Sequence, residues 1–287
     1  MKKTFTILML ILAVSAFVSA QELTSKNGVP ILPEEKEWAL GIDAMPFFYY
    51  FGNMFNGNMS NGGPSFDFTG AYPMTLYGKY MVDAKTAYRV KLQITYNSFT
   101  DKEFVPEDAP PASFDPDVTV EDKEKVTYMD LVFGAGIEKR RGKGRLQGIY
   151  GAEALIGFSS DKIKYEYGNT WDPDIAHNVT DFGQNVIGED EGYITEDKSG
   201  STFGFGVRGF IGVEYFFAPK ISIGGEFGWG LGFSSQGEGE YTYDFEDIDP
   251  VSGENFINTR TVKNAGGSSF SFQPDNLSGA INLLFYF

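Results

Sequence analysis

Charged side chains recur through this chain on the small, polar face of segments that alternate with a period of two: Asp43, Lys79, Arg89, Lys91, Asp130, Glu138, Glu153, Arg208, Glu214 and Glu226. Carboxylates and cations mixed this way have two chemical uses. They can line a gated ion path, or they can pair into a salt-bridged plug, because a charge taken out of water must find a partner or lose its ionisation. The width of the space they share decides between the two. Catalysis is a weaker prospect. His177 is the only histidine and there is no cysteine, so a thiol nucleophile is excluded. No G-x-S-x-G motif accompanies the histidine. Its place in the polar stretch Asp172–Asp181 predicts a solvated loop histidine, and the chain reads as a non-enzyme. The acidic run Asp244-Phe245-Glu246-Asp247-Ile248-Asp249 offers oxygens to a cation such as Ca²⁺. It lacks EF-hand spacing, and charge runs are usually solvated, so neither a metal nor a cofactor is expected.

The elements that must position these charges are strands. In Phe203–Phe217, the residues Phe203, Phe205, Val207, Ile211, Val213, Tyr215 and Phe217 share one parity, and Arg208, Phe210, Gly212, Glu214 and Phe216 the other. After Ala218-Pro219-Lys220, Ile221, Ile223, Phe227, Trp229, Leu231 and Phe233 alternate with Ser222, Gly224, Glu226, Gly228, Gly230 and Gly232. Successive side chains of a strand point to opposite faces, and a join this short makes a hairpin. Both strands are long enough for the ~9–11 residues that cross a bilayer at a tilt.

The same pattern predicts further strands over Trp38–Phe51, Ala71–Val82, Ala87–Ser98, Val126–Glu138, Leu146–Phe158 and Leu277–Phe287, giving eight. Pro46 predicts a bulge in the first of them. The third is the cleanest: Tyr88, Val90, Leu92, Ile94 and Tyr96 face one way, and Arg89, Lys91, Gln93, Thr95 and Asn97 the other. Connections alternate long and short. Gly52–Pro64, Thr100–Glu124, Ser159–Ser201 and Ser234–Ser268 read as long loops, the last three strongly acidic. Asp83–Thr86, the basic Lys139–Arg145 and Ala218–Lys220 read as tight turns. Ile163–Tyr167 and Gly239–Phe245 offer an alternative count of ten strands.

Lys2 and Lys3 precede an apolar run, Ile7–Val14, with the small residues Val18 and Ala20 beyond it. That is a secretory signal peptide, residues 1–20, with cleavage expected between Ala20 and Gln21; the run is too short for a spanning helix. Its loss leaves one domain, 21–287, and removes two positive charges from a chain whose formal charge is already −16. Such a surface repels nucleic acid. Any membrane insertion must then be by strands, and only a closed barrel satisfies strand backbones in lipid.

The signal peptide, the alternating strands, the loop asymmetry and the terminal Leu283-Leu284-Phe285-Tyr286-Phe287 together resemble the small outer-membrane β-barrel proteins of Gram-negative bacteria. The hairpin around Pro219-Lys220 resembles the penultimate hairpin of that family. The resemblance implies an all-β fold: a closed antiparallel transmembrane barrel of eight strands (alternatively ten), with short periplasmic turns and long extracellular loops. It implies an assembly signal at Ile281, Leu283, Phe285 and Phe287, read by the barrel-insertion machinery, with Asn282 where the family often has glycine. It implies outer-membrane lipid and lipopolysaccharide as surroundings. Divalent ions could bridge the loop carboxylates to lipopolysaccharide, and Lys139–Arg145 could touch inner-leaflet head groups. Eight strands enclose a space just wide enough for side chains, which selects the plug over the ion path. The expected role is structural or adhesion-type, with acidic loops presented at the surface. The alternative is a narrow channel for small or hydrophobic solutes.

Overall fold

The computed structural model describes residues 23–44, 75–142, 144–172, 175, 177–180, 182, 192–274 and 280–287. They form an all-β structure of twelve strands in one antiparallel sheet. These are β1 (Trp38–Asp43), β2 (Thr75–Asp83), β3 (Thr86–Pro106), β4 (Thr119–Arg141), β5 (Leu146–Glu166) and β6 (Tyr193–Lys198). Then come β7 (Thr202–Ala218), β8 (Ile221–Gln236), β9 (Gly239–Ile248), β10 (Asn255–Asn264), β11 (Gly267–Pro274) and β12 (Ala280–Tyr286). Eight of them close a ring. β1, β2, β3, β4, β5, β7, β8 and β12 pair in that order, and β12 returns to β1.

The remaining strands prolong the ring. Thr202 pairs with Gln236 in the β7–β8 ladder, and Lys198 with Glu240 in the β6–β9 ladder, in one unbroken register. Likewise Gln236↔Gly267 and Gly239↔Asn264 continue each other. So β6 extends β7, β9 extends β8, and β10 runs into β11. The ten-strand alternative does not hold: Ile163–Glu166 is the upper end of β5, and Gly239–Phe245 lies in β9, stacked on the ring and not inserted into it.

Much of what the sequence presents as loop is therefore strand. β3 continues to Pro106 and β4 begins at Thr119, leaving a turn at 107–118. Residues 98–104 are exposed on both faces, so no hydrophobic period marks them. Ladder hydrogen bonds and surface pairs such as Lys102–Glu121 (2.9 Å) and Lys162–Glu196 (2.8 Å) hold this wet part of the sheet. The predicted Gly52–Pro64 loop, the outer half of the first strand including Pro46, the start of the second and the signal peptide with its Ala20–Gln21 junction lie outside the described residues.

At the opposite end the turns are short. In Asp83–Thr86 the Asp83 carboxylate accepts a hydrogen bond from the Lys85 amide (2.6 Å), which holds its pKa below the usual range. At Pro219-Lys220, Lys220 adopts a left-handed φ of 61°. Its amide donates to the Ile31 carbonyl, and its ammonium meets both Glu37 oxygens at 2.6 and 2.8 Å. The arm Leu23–Glu37, for which the sequence offers no pattern, folds across this end. Ile31 inserts into a buried cluster with Ala39, Tyr77, Met81, Ala87, Phe216, Leu284 and Tyr286.

Parity around the ring follows the side-chain alternation. Val207 is 56 % exposed and its neighbour Arg208 6 %. Leu40, Val90, Ile137, Ile156, Ile211 and Val213 point out, while Lys79, Arg89, Glu138, Glu153, Glu214 and Glu226 are buried inside.

Candidate functional site

Three contacts cross the full width of the ring. Arg89 on β3 forks onto Glu226 of the opposite strand β8, with Nη1–Oε2 at 2.8 Å and Nη2–Oε1 at 3.0 Å. Lys79 on β2 reaches Glu214 of β7 at 3.1 Å. Arg140 on β4 reaches the Tyr286 hydroxyl of β12 at 2.9 Å. Shorter links tie these spans together. Lys79 holds Glu138 (2.8 Å), Lys91 holds Glu153 (2.6 Å), and Arg208 Nη1 meets Glu153 (3.0 Å) and Glu226 (2.9 Å). Arg140 also donates to Glu214, which accepts from Tyr286 (2.7 Å) and from Ser222. Phe210 lies under Arg89, whose Cζ is 4.1 Å from the ring centroid, a cation–π contact that adds apolar filling between charges.

Each carboxylate of this network, Glu138, Glu153, Glu214 and Glu226, thus faces at least two cations or donors. That is what a charge in a low-dielectric interior requires, since desolvation costs several kcal/mol per ion unless geometry and hydrogen bonds compensate. The bidentate Arg89–Glu226 pair is the strong, orientationally fixed kind.

The structure brings together Lys79, Arg89, Lys91, Glu138, Glu153, Arg208, Glu214 and Glu226. Asp43 is half-buried at the end of β1, opposite Asn282 in the ladder. Asp130 is half-buried higher up on β4, opposite Thr95, and makes no ion pair among the described residues. Arg140 is the main addition. The basic stretch Lys139–Arg145 reads as a solvated turn that could touch lipid head groups, yet Arg140 is buried at 4 % exposure and belongs to the network. β4 runs through Arg141, and Arg140 shares the inward parity of Glu138, so strict counting past Glu138 finds it.

Inward glycines serve two different ends. A Cβ on Gly151 would stand 2.0 Å from the Ile137 carbonyl and 2.8 Å from Phe210; one on Gly228 would meet the Gly209 carbonyl at 2.3 Å and Arg208 at 3.0 Å. These two make room for the network. Higher up the ring, Gly157, Gly204 and Gly230 would accept a Cβ at ordinary contact, 3.6–3.7 Å from the nearest atom. Glycine in a strand costs ~0.5–1 kcal/mol relative to alanine, and no close approach demands it there. What these glycines leave is a cavity of about 440 Å³ above Arg208, bounded by β4, β5, β7, β8 and β11.

A second polar cluster sits at the loop end. His177 is not solvated: its side chain is 4 % exposed and its Nδ1 lies 2.6 Å from Asp108 Oδ2. Trp171 stacks on the imidazole (5.8 Å between centroids), and Tyr193 meets it edge-on at 4.8 Å. Asp108 Oδ1 accepts from the Asn178 amide and side chain, at 2.8 and 2.9 Å. Burial, and then the Asp108 charge, raises the Tyr193 pKa. Nearby, burial and Glu124 push Tyr165 up to about 12. This is a clasp joining the 107–118 turn to the segment after β5. Asp108→Ala should release it: faster proteolysis within 167–180 and a local loss of ~1–3 kcal/mol from the donors left unpaired, with the ring intact.

The acidic run Asp244–Asp249 does not converge. Asp244, Glu246 and Asp247 lie along β9 and Asp249 just beyond it; Asp244 accepts from Thr259 (2.6 Å) and Asp247 from Asn258 (3.0 Å). Among the described residues no three metal-ligating side chains come together. Ile281, Leu283, Phe285 and Phe287, the positions that the resemblance marks as an assembly signal, share one face of the β12 stretch, with Phe285 and Phe287 exposed. The chain matches no protein-family model and no curated protein.

Proposed function

We propose that the protein is an eight-stranded transmembrane β-barrel of a Gram-negative outer membrane, non-enzymatic and closed to ions, with a structural or adhesion-type role carried by its extracellular sheet. The observation that carries this reading is the inverted placement of polarity. Paired charges fill the inside of the ring, and apolar side chains stand exposed around the outside. Monomeric soluble proteins rarely expose contiguous apolar patches beyond a few hundred Å².

Aromatic side chains bound the apolar band. Trp38, Tyr88, Tyr150 and Tyr215 lie toward the short turns, and Tyr96, Phe158, Phe205 and Phe233 toward the tall end, all exposed. From Phe205 to Tyr215 the strand runs roughly 33 Å, or about 25 Å along the axis at the usual tilt of ~40°, which is the height of the apolar band in such barrels. The tall acidic sheet then faces outside the cell, and lipid, lipopolysaccharide and the barrel-insertion machinery are the partners this placement implies. Entry through a secretory signal peptide at 1–20 belongs to the same reading.

The diametric ion pairs favour a plug over the narrow channel. Refolded into a planar bilayer, the protein should give no reproducible unitary conductance. Stable current steps whose ion selectivity changes when Arg89 or Glu226 is reversed in charge would overturn the closed reading.

A further inference from the structure

Above Arg208 the inward positions of β7 and β8 form a smooth trough. Arg208 faces Gly230, Gly206 faces Gly232, and Gly204 faces Ser234 across the ladder. From the level of Arg208 to that of Gly204 the trough runs about 13 Å, four residues at ~3.3 Å each. Val132 and Leu155 supply its apolar walls, and the hydroxyl-bearing Ser234 and Ser271 line it toward the outer end. The floor is charged but neutralised, because Arg208 is already engaged by Glu153 and Glu226. The volume, about 440 Å³, falls within the ~300–1,000 Å³ typical of small-molecule sites.

A long, narrow, mostly apolar trough with hydroxyls at one end and no net charge at the other suits one kind of molecule. We propose that this cavity binds a free single-chain aliphatic amphiphile, its alkyl chain lying along the glycines above Arg208 and its polar head at Ser234 and Ser271. This goes beyond the structural role proposed above and makes the upper barrel a blind binding vestibule.

The test uses the full mature protein in phospholipid nanodiscs, which avoids competing detergent, with laurate as the probe and empty nanodiscs as the background. Wild type should show saturable binding of one laurate per protein. Gly204→Leu and Gly230→Leu, which fill the trough, should each weaken it at least about tenfold, equivalent to 1.4 kcal/mol. Gly204→Ala, whose Cβ has room, should fold and still bind. No saturable binding above empty nanodiscs, or equal binding by the leucine variants, overturns the proposal. Should those variants fail to fold, photolabelling of wild type decides. A diazirine fatty acid should mark Val132 or Leu155; adducts confined to outward residues refute the site. Cavity labelling by a diazirine phospholipid alone would refute a free amphiphile. Conductance is read separately, so a conducting barrel that still binds laurate would sink the closed reading and leave this one standing.

Discussion

Replacing Glu214 with alanine should lower unfolding stability by ~3–5 kcal/mol, the range seen when one partner of a buried ion pair is removed. Glu214 is fully buried and holds Lys79, Arg140, Ser222 and Tyr286 at once. Its removal leaves Lys79 and Arg140 sharing the single carboxylate of Glu138 in a space that water does not readily reach. The lost Coulomb attraction matters less than the desolvation left uncompensated on Lys79 and Arg140. Urea titration of protein refolded in lipid vesicles, followed by gel mobility, measures the loss directly. A paired change that also removes Lys79 should recover part of it. A single-variant loss below ~1 kcal/mol, the scale of a solvent-exposed pair, would mean that the lumen is wet and the network screened.

The second large effect concerns the outside. Val207→Arg should cost ~2–4 kcal/mol if that face meets hydrocarbon near the bilayer midplane. A surface substitution facing water usually stays within about 0.5 kcal/mol. Val207 projects from the middle of β7, in ladder contact with Ala154 and Leu231, and is more than half exposed. No protein neighbour needs its shape, so packing cannot mimic the membrane effect. A control at Phe104, exposed on the upper β3, should tolerate arginine with little change, because that level stands above the aromatic belt. Equal tolerance at both positions would refute membrane insertion and leave the ring as a soluble structure.

The alternation of Phe203–Phe233 marks its two strands, because one buried face and one apolar face leave a strong period-two signal. Where both faces are wet that signal vanishes, so Ser98–Phe104 reads as loop although it is hydrogen-bonded strand. Inward charges were legible for the same reason as the strands. Their partners were not, since Arg89 and Glu226 lie far apart in sequence and meet only after closure. Arg140 is hidden by composition: a run of basic residues beside glycines resembles a turn, although the inward parity of Glu138 continues through it. His177 was misjudged because its burial depends on Asp108, Trp171 and Tyr193, three residues with no shared local pattern. The cavity could not be read at all. A glycine that makes room for a neighbour and a glycine that leaves a void look identical in sequence.

The ring is sealed by β1 against β12, with Trp38 and Phe287 exchanging both backbone hydrogen bonds, at 2.9 and 3.0 Å. These partners stand at opposite ends of the described chain, so the closing contact has nearly the largest sequence separation available. Every diametric ion pair depends on that same event, because an open sheet holds Arg89 and Glu226 apart in solvent. Folding therefore cannot be vectorial: strands can pair as they arrive, but the electrostatic gain comes late and together. Non-local pairing of this sort is slow, and until the last strand docks two unpaired edges stay available to other chains. The aggregation-prone interval of folding therefore has its length set by one terminal hydrogen-bonded seam.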